Sequence, residues 1–272
     1  LVVLGLLVIA GVSIWMLGTR QPSQVISRYD SVIFLALKHA NPAHVRTTGL
    51  AGVSPLWRGS VAFPFIGIDE NYWTDYLILP PDSALPDEVK DSTGFEDVFA
   101  AEVELVMVPA FVVGALRAMH KLGLMKRPDG PLPESIDEVE GRLDILPPVD
   151  AMNASRAAAP GMQVTMVNYL EYTPMEGGGK NKGRRTYNKY GAEAMKAVHM
   201  VGGQFLFAGR ISKVLIEPKN TMTPGEWDDL AAMIYPDPMA IFYMEQNAGY
   251  KGALDFRDNS LERTVVIATE AY

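Results

Sequence analysis

Cysteine is absent from the 272 residues. Its absence removes disulfides, thiolate nucleophiles, iron–sulfur clusters and thiolate zinc sites together. Histidine is scarce. His39, His44, His120 and His199 are the four, and none stands at ligand spacing from another histidine or a carboxylate, so no metal site is expected. A net basic charge is missing too: the formal charge is −8, which argues against nucleic-acid binding through a basic surface. No Gly-x-Ser-x-Gly elbow, P-loop or dinucleotide fingerprint occurs, so the reading leans away from an enzyme and names no catalytic residue.

What is present is an ordinary folded composition, 48% hydrophobic and 21% charged, with one unusual stretch. Residues 1–18, LVVLGLLVIAGVSIWMLG, carry no charge, and the first ionisable side chain is Arg20. Eighteen helical residues rise about 27 Å, close to the roughly 30 Å hydrocarbon core of a bilayer. Trp15 stands near one end, where an amphipathic ring favours the interface. The run is longer than a signal-peptide core and lacks the polar stripe of a surface-packed helix. The hydropathy therefore predicts a single transmembrane anchor, with the lipid bilayer as a partner through residues 1–18. The large domain after it is expected outside the cytoplasm, in the periplasm if the source is bacterial.

The rest divides into an anchor (1–20), a polar linker (21–29), a first block (30–108), a connection (109–160) and a second block (161–272). The connection opens with an amphipathic helix in which Arg117, His120 and Lys121 share one face at i, i+3 and i+4, and it continues into a proline-rich segment. Residues 83–100 read as a helix with Pro86 in its first turn. Residues 180–185, Lys-Asn-Lys-Gly-Arg-Arg, read as a solvated basic loop before a helix over 186–201 that Gly202-Gly203 terminates.

The two blocks read alike. Trp73-Thr-Asp75 opens a strand in the first and Trp227-Asp-Asp229 in the second. Each strand ends in a proline turn, Pro80-Pro81-Asp82 and Tyr235-Pro236-Asp237. Each turn starts a helix containing a Gly-aromatic pair, Gly94-Phe95 and Gly249-Tyr250, and a strand follows. The order β-α-β-β-α-β in each block is the ferredoxin-like unit. Its sheet carries helices on one face, so two copies can cover each other's bare face by closing into a barrel. The expected fold is α+β: an N-terminal transmembrane helix, then two ferredoxin-like repeats forming an intramolecular dimeric α/β barrel.

Several residues of the second block carry a resemblance. They are Met166-Val-Asn168, Tyr187-x-x-Tyr190-Gly-Ala192, Gly202-Gly203-x-Phe205 with Gly209, Trp227-Asp228, Tyr235-Pro236, Met244-x-x-Asn247-x-x-Tyr250, and Ser260-Leu-Glu-x-Thr264 with Ala268-Thr269. Over roughly residues 162–270 the chain resembles an uncharacterised family of small α+β-barrel domains in the dimeric α/β barrel superfamily. The first block lacks the Gly-Gly step and the Tyr-x-x-Tyr helix start. The resemblance implies a barrel of paired domains. Relatives include heme-dependent enzymes, monooxygenases and isomerases alongside proteins of no established activity, and fold alone does not license function.

The candidate ligand-binding residues are Asn168, His199, Arg210 and Tyr235. Asn168 is polar in an apolar strand, where it could face the barrel interior and bind a ligand or satisfy a neighbouring backbone group. Arg210 and Tyr235 could join it. His199, late in its helix, could ligate a heme or serve as an acid or base, or simply answer the helix dipole. No cofactor is expected, with heme as the alternative. Three functions follow, in order: a membrane-anchored, non-catalytic accessory or structural subunit docked to other membrane-protein subunits; a membrane-tethered small-molecule- or heme-binding barrel with its ligand between the sheets; and a self-associating scaffold.

Overall fold

The computed structural model describes residues 28–41, 50, 53–67, 72–131, 147, 149–158, 161–219 and 227–272. Eight strands organise them: β1 (Ser31–His39), β2 (Trp57–Ile66), β3 (Asp75–Leu79), β4 (Phe95–Leu105), β5 (Val164–Tyr172), β6 (Gln204–Ile216), β7 (Asp229–Tyr235) and β8 (Leu261–Ala271). They close into one barrel in the order β1-β3-β2-β8-β5-β7-β6-β4, and every pairing is antiparallel. The first four strands lie side by side in the order 4-1-3-2 and the last four repeat that order. Two seams, β2 with β8 and β4 with β6, join the halves.

The continuous apolar runs of β1 and β3 have a simple cause. A strand with an interior on one side and an outer layer on the other is buried on both faces and need not alternate with polar residues. In β1, Val32, Phe34 and Ala36 point into the barrel, whereas Ile33, Leu35 and Leu37 belong to the cluster outside the first sheet. An eight-stranded barrel is just wide enough for side chains to fill it, and aromatic rings do so here. Phe34 is the hub, with ring centroids 5.8 Å from Tyr76, 6.3 Å from Phe99, 5.8 Å from Tyr169 and 6.2 Å from Phe207. Trp73 and Trp227, the paired openers of the two blocks, both pack in this interior.

Six helices accompany the strands among the described residues: α1 (Asp87–Lys90), α2 (Ala110–Lys121), α3 (Val149–Ala157), α4 (Gly179–Met200), α5 (Ala240–Met244) and α6 (Ala248–Asp258). The last three cover the outer face of the second sheet, where Tyr190, Ala194, Val198, Tyr250 and Ala253 meet Met166, Tyr235 and Val266.

Several expectations are corrected. The single-pass membrane protein is not supported. Residues 1–18 lie outside the described residues, and among those described no helix is long and apolar enough to cross a membrane. α2 has 12 residues and α4, with 22, carries lysines and arginines from Lys180 to Lys196. The described residues form a closed eight-stranded antiparallel barrel rather than two matched helix-and-strand repeats, and the extracytoplasmic placement rests on residues outside those described.

The first block departs furthest. Residues 83–100 do not form a helix: α1 is a single turn of 4 residues, Ser92 and Gly94 take positive φ (52° and 84°), and β4 has begun by Phe95. Pairing with β1 along its length and with β6 beyond overrides the local preference of Glu and Ala for helix. Gly94-Phe95 therefore enters a strand whereas Gly249-Tyr250 lies inside α6, so that pair of anchors does not correspond. The helix expected after the Tyr235-Pro236-Asp237 turn is two, broken at Asn247, whose Oδ1 caps α6 by accepting from the Tyr250 N–H at 3.0 Å.

Candidate functional site

α4 extends seven residues further toward the N-terminus than 186. The basic segment 180–185 is its first turns rather than a loop. The reason is charge pairing with the strand ends below. Lys180 Nζ meets Glu171 Oε1 at 3.2 Å and Asp228 Oδ2 at 3.3 Å. Arg184 grips Asp229, with Nη2 2.8 Å and Nε 3.0 Å from Oδ1, and the Tyr172 hydroxyl donates to Asp229 Oδ2 at 2.8 Å. Burial pushes the Asp229 carboxyl up from its ordinary range, against the pull of Arg184 and Tyr172. Farther along, Tyr190, Ala194, Ala197, Val198 and Val201 make a buried stripe at helical spacing that seats α4 on the sheet.

That seating is incomplete at mid-helix. There the helix presents Gly191 and Ala194, and the strands opposite present Ala208, Gly209 and Ala231. Small residues on both walls leave a cavity of about 340 Å³ between α4 and the β5–β7–β6 sheet, a size suited to a small molecule. Leu170, Val198, Phe205, Met233 and Met244 make its lining apolar, and Tyr187, Tyr190 and Tyr235 add ring faces. A smaller space of about 60 Å³ under α5 and α6 shares Asn168, Tyr187, Tyr190 and Tyr235 with it. The tyrosines meet in series through tilted and edge-on ring contacts, with centroids 5.5 Å apart for Tyr172–Tyr187, 5.3 Å for Tyr187–Tyr190 and 5.7 Å for Tyr190–Tyr250. The Tyr190 and Tyr250 hydroxyls are 3.0 Å apart. Desolvation pushes the hydroxyls of Tyr187, Tyr235 and Tyr250 well up, so all three stay protonated.

Asn168 is the polar group on the strand wall. Its Nδ2 donates to the Met166 carbonyl at 2.9 Å and, more loosely, to that of Ala231 at 3.5 Å. The side-chain carbonyl Oδ1 is left as an acceptor with no donor among the described residues. Asn168 faces outward under α4 because even-numbered residues of β5 point away from the interior that Val167 and Tyr169 fill. The space is thus outside the barrel, not between the sheets as the sequence reading had it.

Of the candidate residues, the structure brings Asn168 and Tyr235 together in this wall. Arg210 is elsewhere: exposed on β6, opposite Glu104 and Asp229 in register. His199 lines a separate cavity of about 100 Å³ with Arg117, His120, Lys121 and Gln204, too small for a heme when small-molecule sites run to roughly 300–1,000 Å³. The sequence reading missed Tyr187, Tyr190, Gly191, Phe205 and Gly209 as wall residues. The signal existed, since all five carry the family resemblance and all five line the cavity.

No protein-family model and no curated protein matches the sequence. Among solved structures, a protein of unknown function from Rhodopseudomonas palustris aligns with 22% identity over 46% of this chain and 95% of its own, at a TM-score of 0.39. A candidate monooxygenase from Lactobacillus acidophilus aligns with 8% identity over 89% of this chain and 93% of its own, at 0.42. Another from Fusobacterium nucleatum aligns with 6% identity over 90% of this chain and 93% of its own, also at 0.42. These likenesses are too distant to transfer a function.

Proposed function

We propose that this chain is a small-molecule-binding barrel, and that its ligand lies between α4 and the β5–β7–β6 sheet. The observation that carries the reading is the cavity of about 340 Å³, walled by small and apolar residues with the Asn168 side-chain carbonyl on its strand wall. Apolar walls with one or two placed polar groups are what small-molecule sites consist of. The matching ligand is planar and largely apolar, stacks on the tyrosine rings, and carries one hydroxyl or N–H to donate to Asn168. Tyr172, Asp229 and Arg184 satisfy one another at the end of the space, so the role read here is binding and orientation rather than acid–base chemistry.

The probe is 2-naphthol, followed by its fluorescence and by chemical shifts of α4. The expected dissociation constant is on the order of 0.1 mM for a ligand of about eleven heavy atoms. Asn168→Leu should weaken binding roughly tenfold by removing the acceptor. Gly191→Phe, which drives a ring into the space, should abolish it. Binding undiminished in Gly191→Phe would place the probe elsewhere and sink the proposal.

A further inference from the structure

The face of α2 on which Arg117, His120 and Lys121 fall does not look at solvent alone. It closes over the C-terminal end of α4, and the three side chains line one cavity of about 100 Å³ with His199, Gln204 and the Gly202-Gly203 turn. Such a volume holds about three waters' worth of space, which suits a group the size of a phosphate. His120 sits against the turn: its Nε2 would be 3.3 Å from a Cβ at Gly202.

His199 is the informative group. It is 2% exposed, and its Nδ1 is 2.8 Å from the Met195 carbonyl. A carbonyl only accepts, so Nδ1 carries the proton and, in the neutral ring, Nε2 is a bare acceptor. That Nε2 is buried with no hydrogen-bond partner among the described residues, as is His120 Nδ1. Burial, and then the positive charge of Arg117, holds the imidazole down to about 4, so it is neutral near pH 7. Around this acceptor stand cationic donors. Arg117 is buried and donates through Nη2 to Gln204 Oε1 at 2.7 Å, and Lys121 is exposed at the rim. No carboxylate lines the space among the described residues. A metal cation would be repelled by Arg117 and Lys121, and a fully deprotonated anion would face the Nε2 lone pair.

We propose that this cavity binds a protonated tetrahedral oxyanion, namely hydrogen phosphate or the phosphate end of a monoester. The anionic oxygens accept from Arg117 and Lys121, and the P–OH group donates to His199 Nε2. The site is distinct from the α4–sheet cavity, lies past the other end of the helix, and does not depend on what that cavity holds.

The test is titration of the whole protein with inorganic phosphate, phenyl phosphate or sulfate at about pH 5.5, below the second pKa of about 6 of a monoester so that its P–OH is kept and above the value of about 4 for His199, at constant ionic strength with histidine ring resonances and binding heats recorded. The expected result is that phosphate moves the His120 and His199 signals and leaves His39 in place. Sulfate, which carries no proton at that pH, should bind at least roughly tenfold more weakly, one lost hydrogen bond to a buried acceptor being worth that factor. Binding of phenyl phosphate as well as phosphate would mean that the natural source is a monoester, and phosphate alone a free ion. Lys121→Glu, an exposed change that leaves the fold intact, should weaken phosphate roughly tenfold by turning attraction into repulsion. His199→Gln keeps the ring's size class but offers an N–H at the same place, and should remove the preference for phosphate over sulfate. Histidine signals unmoved by phosphate and phenyl phosphate, equal affinity for sulfate in the native protein, or unchanged affinity in Lys121→Glu would each overturn the proposal.

Discussion

Asp75 and Asp229 hold the same position in the two halves of the barrel. Asp75 begins β3 opposite Leu37 of β1, and Asp229 begins β7 opposite Leu170 of β5. Each is buried, each is held by one arginine, and each accepts from one tyrosine hydroxyl. Arg58 Nη2 and Tyr272 Oη reach Asp75 Oδ2 at 2.6 and 2.9 Å. Arg184 Nη2 reaches Asp229 Oδ1, and Tyr172 Oη its Oδ2, both at 2.8 Å. The partners come from different elements, so the arrangement is shared by chemistry rather than by position.

Removing one member of such a pair strands the other charge. Asp229→Ala should destabilise toward the lower end of about 3–5 kcal/mol, because Arg184 keeps some contact with solvent. The double variant Asp229→Leu, Arg184→Met should recover most of that loss. Urea unfolding of the three proteins measures both, and a single variant as stable as the parent would refute the expectation.

Gly209 marks the seam between β4 and β6. A Cβ there would collide with the Glu104 carbonyl oxygen and lie 2.8 Å from Val103 Cγ1. Alanine ordinarily stabilises a strand over glycine. Here Gly209→Ala should instead cost about 1–3 kcal/mol through overpacking, with amide exchange accelerated first along β4 and β6.

At Gly191 the sign reverses. An added Cβ meets nothing within 4 Å among the described residues, and the residue is interior to α4. Gly191→Ala should therefore stabilise by about 0.5–1 kcal/mol from helix propensity, read as a raised melting temperature.

His199 makes stability depend on pH. Its folded value of about 4 lies below the ordinary 6.5, so the unfolded chain takes up a proton first as pH falls. Stability is then lost between about pH 6.5 and pH 4, by up to about 3 kcal/mol at the lower end. Above pH 6.5 this group contributes no slope. His199→Gln should flatten that part of a urea-midpoint profile, and a slope identical in both proteins would refute the assignment.

Much of the barrel could be read from residues. The strands that Trp73 and Trp227 lead into, the closing strand of the second block and the Gly-Gly helix stop all stand where hydrophobic pattern and turn chemistry put them. Three things were not legible. The segment from Phe95 to Ala100 follows a proline-opened stretch that reads as one helix, and its pairing with β1 makes it strand. Residues 180–185 look like a loop until Glu171, Asp228 and Asp229, distant in sequence, hold them as helix. Which face of β5 carries Asn168 depends on the aromatic packing of Phe34, Tyr76, Tyr169 and Phe207 from four different strands, and one sequence does not show how those rings meet. The cavity itself arises from small residues on separate elements, which no local pattern joins.

Closing the barrel within one chain has an evolutionary consequence. When a barrel forms from two identical chains, every substitution is made twice, so a cavity-lining change on one side is imposed on the other. Here the position two residues before Leu170 is Asn168, and the one two residues before Leu37 is Leu35, fully buried under an apolar layer. One half could give up its polar wall and become a plain structural shell, leaving the other free to vary around whatever it holds.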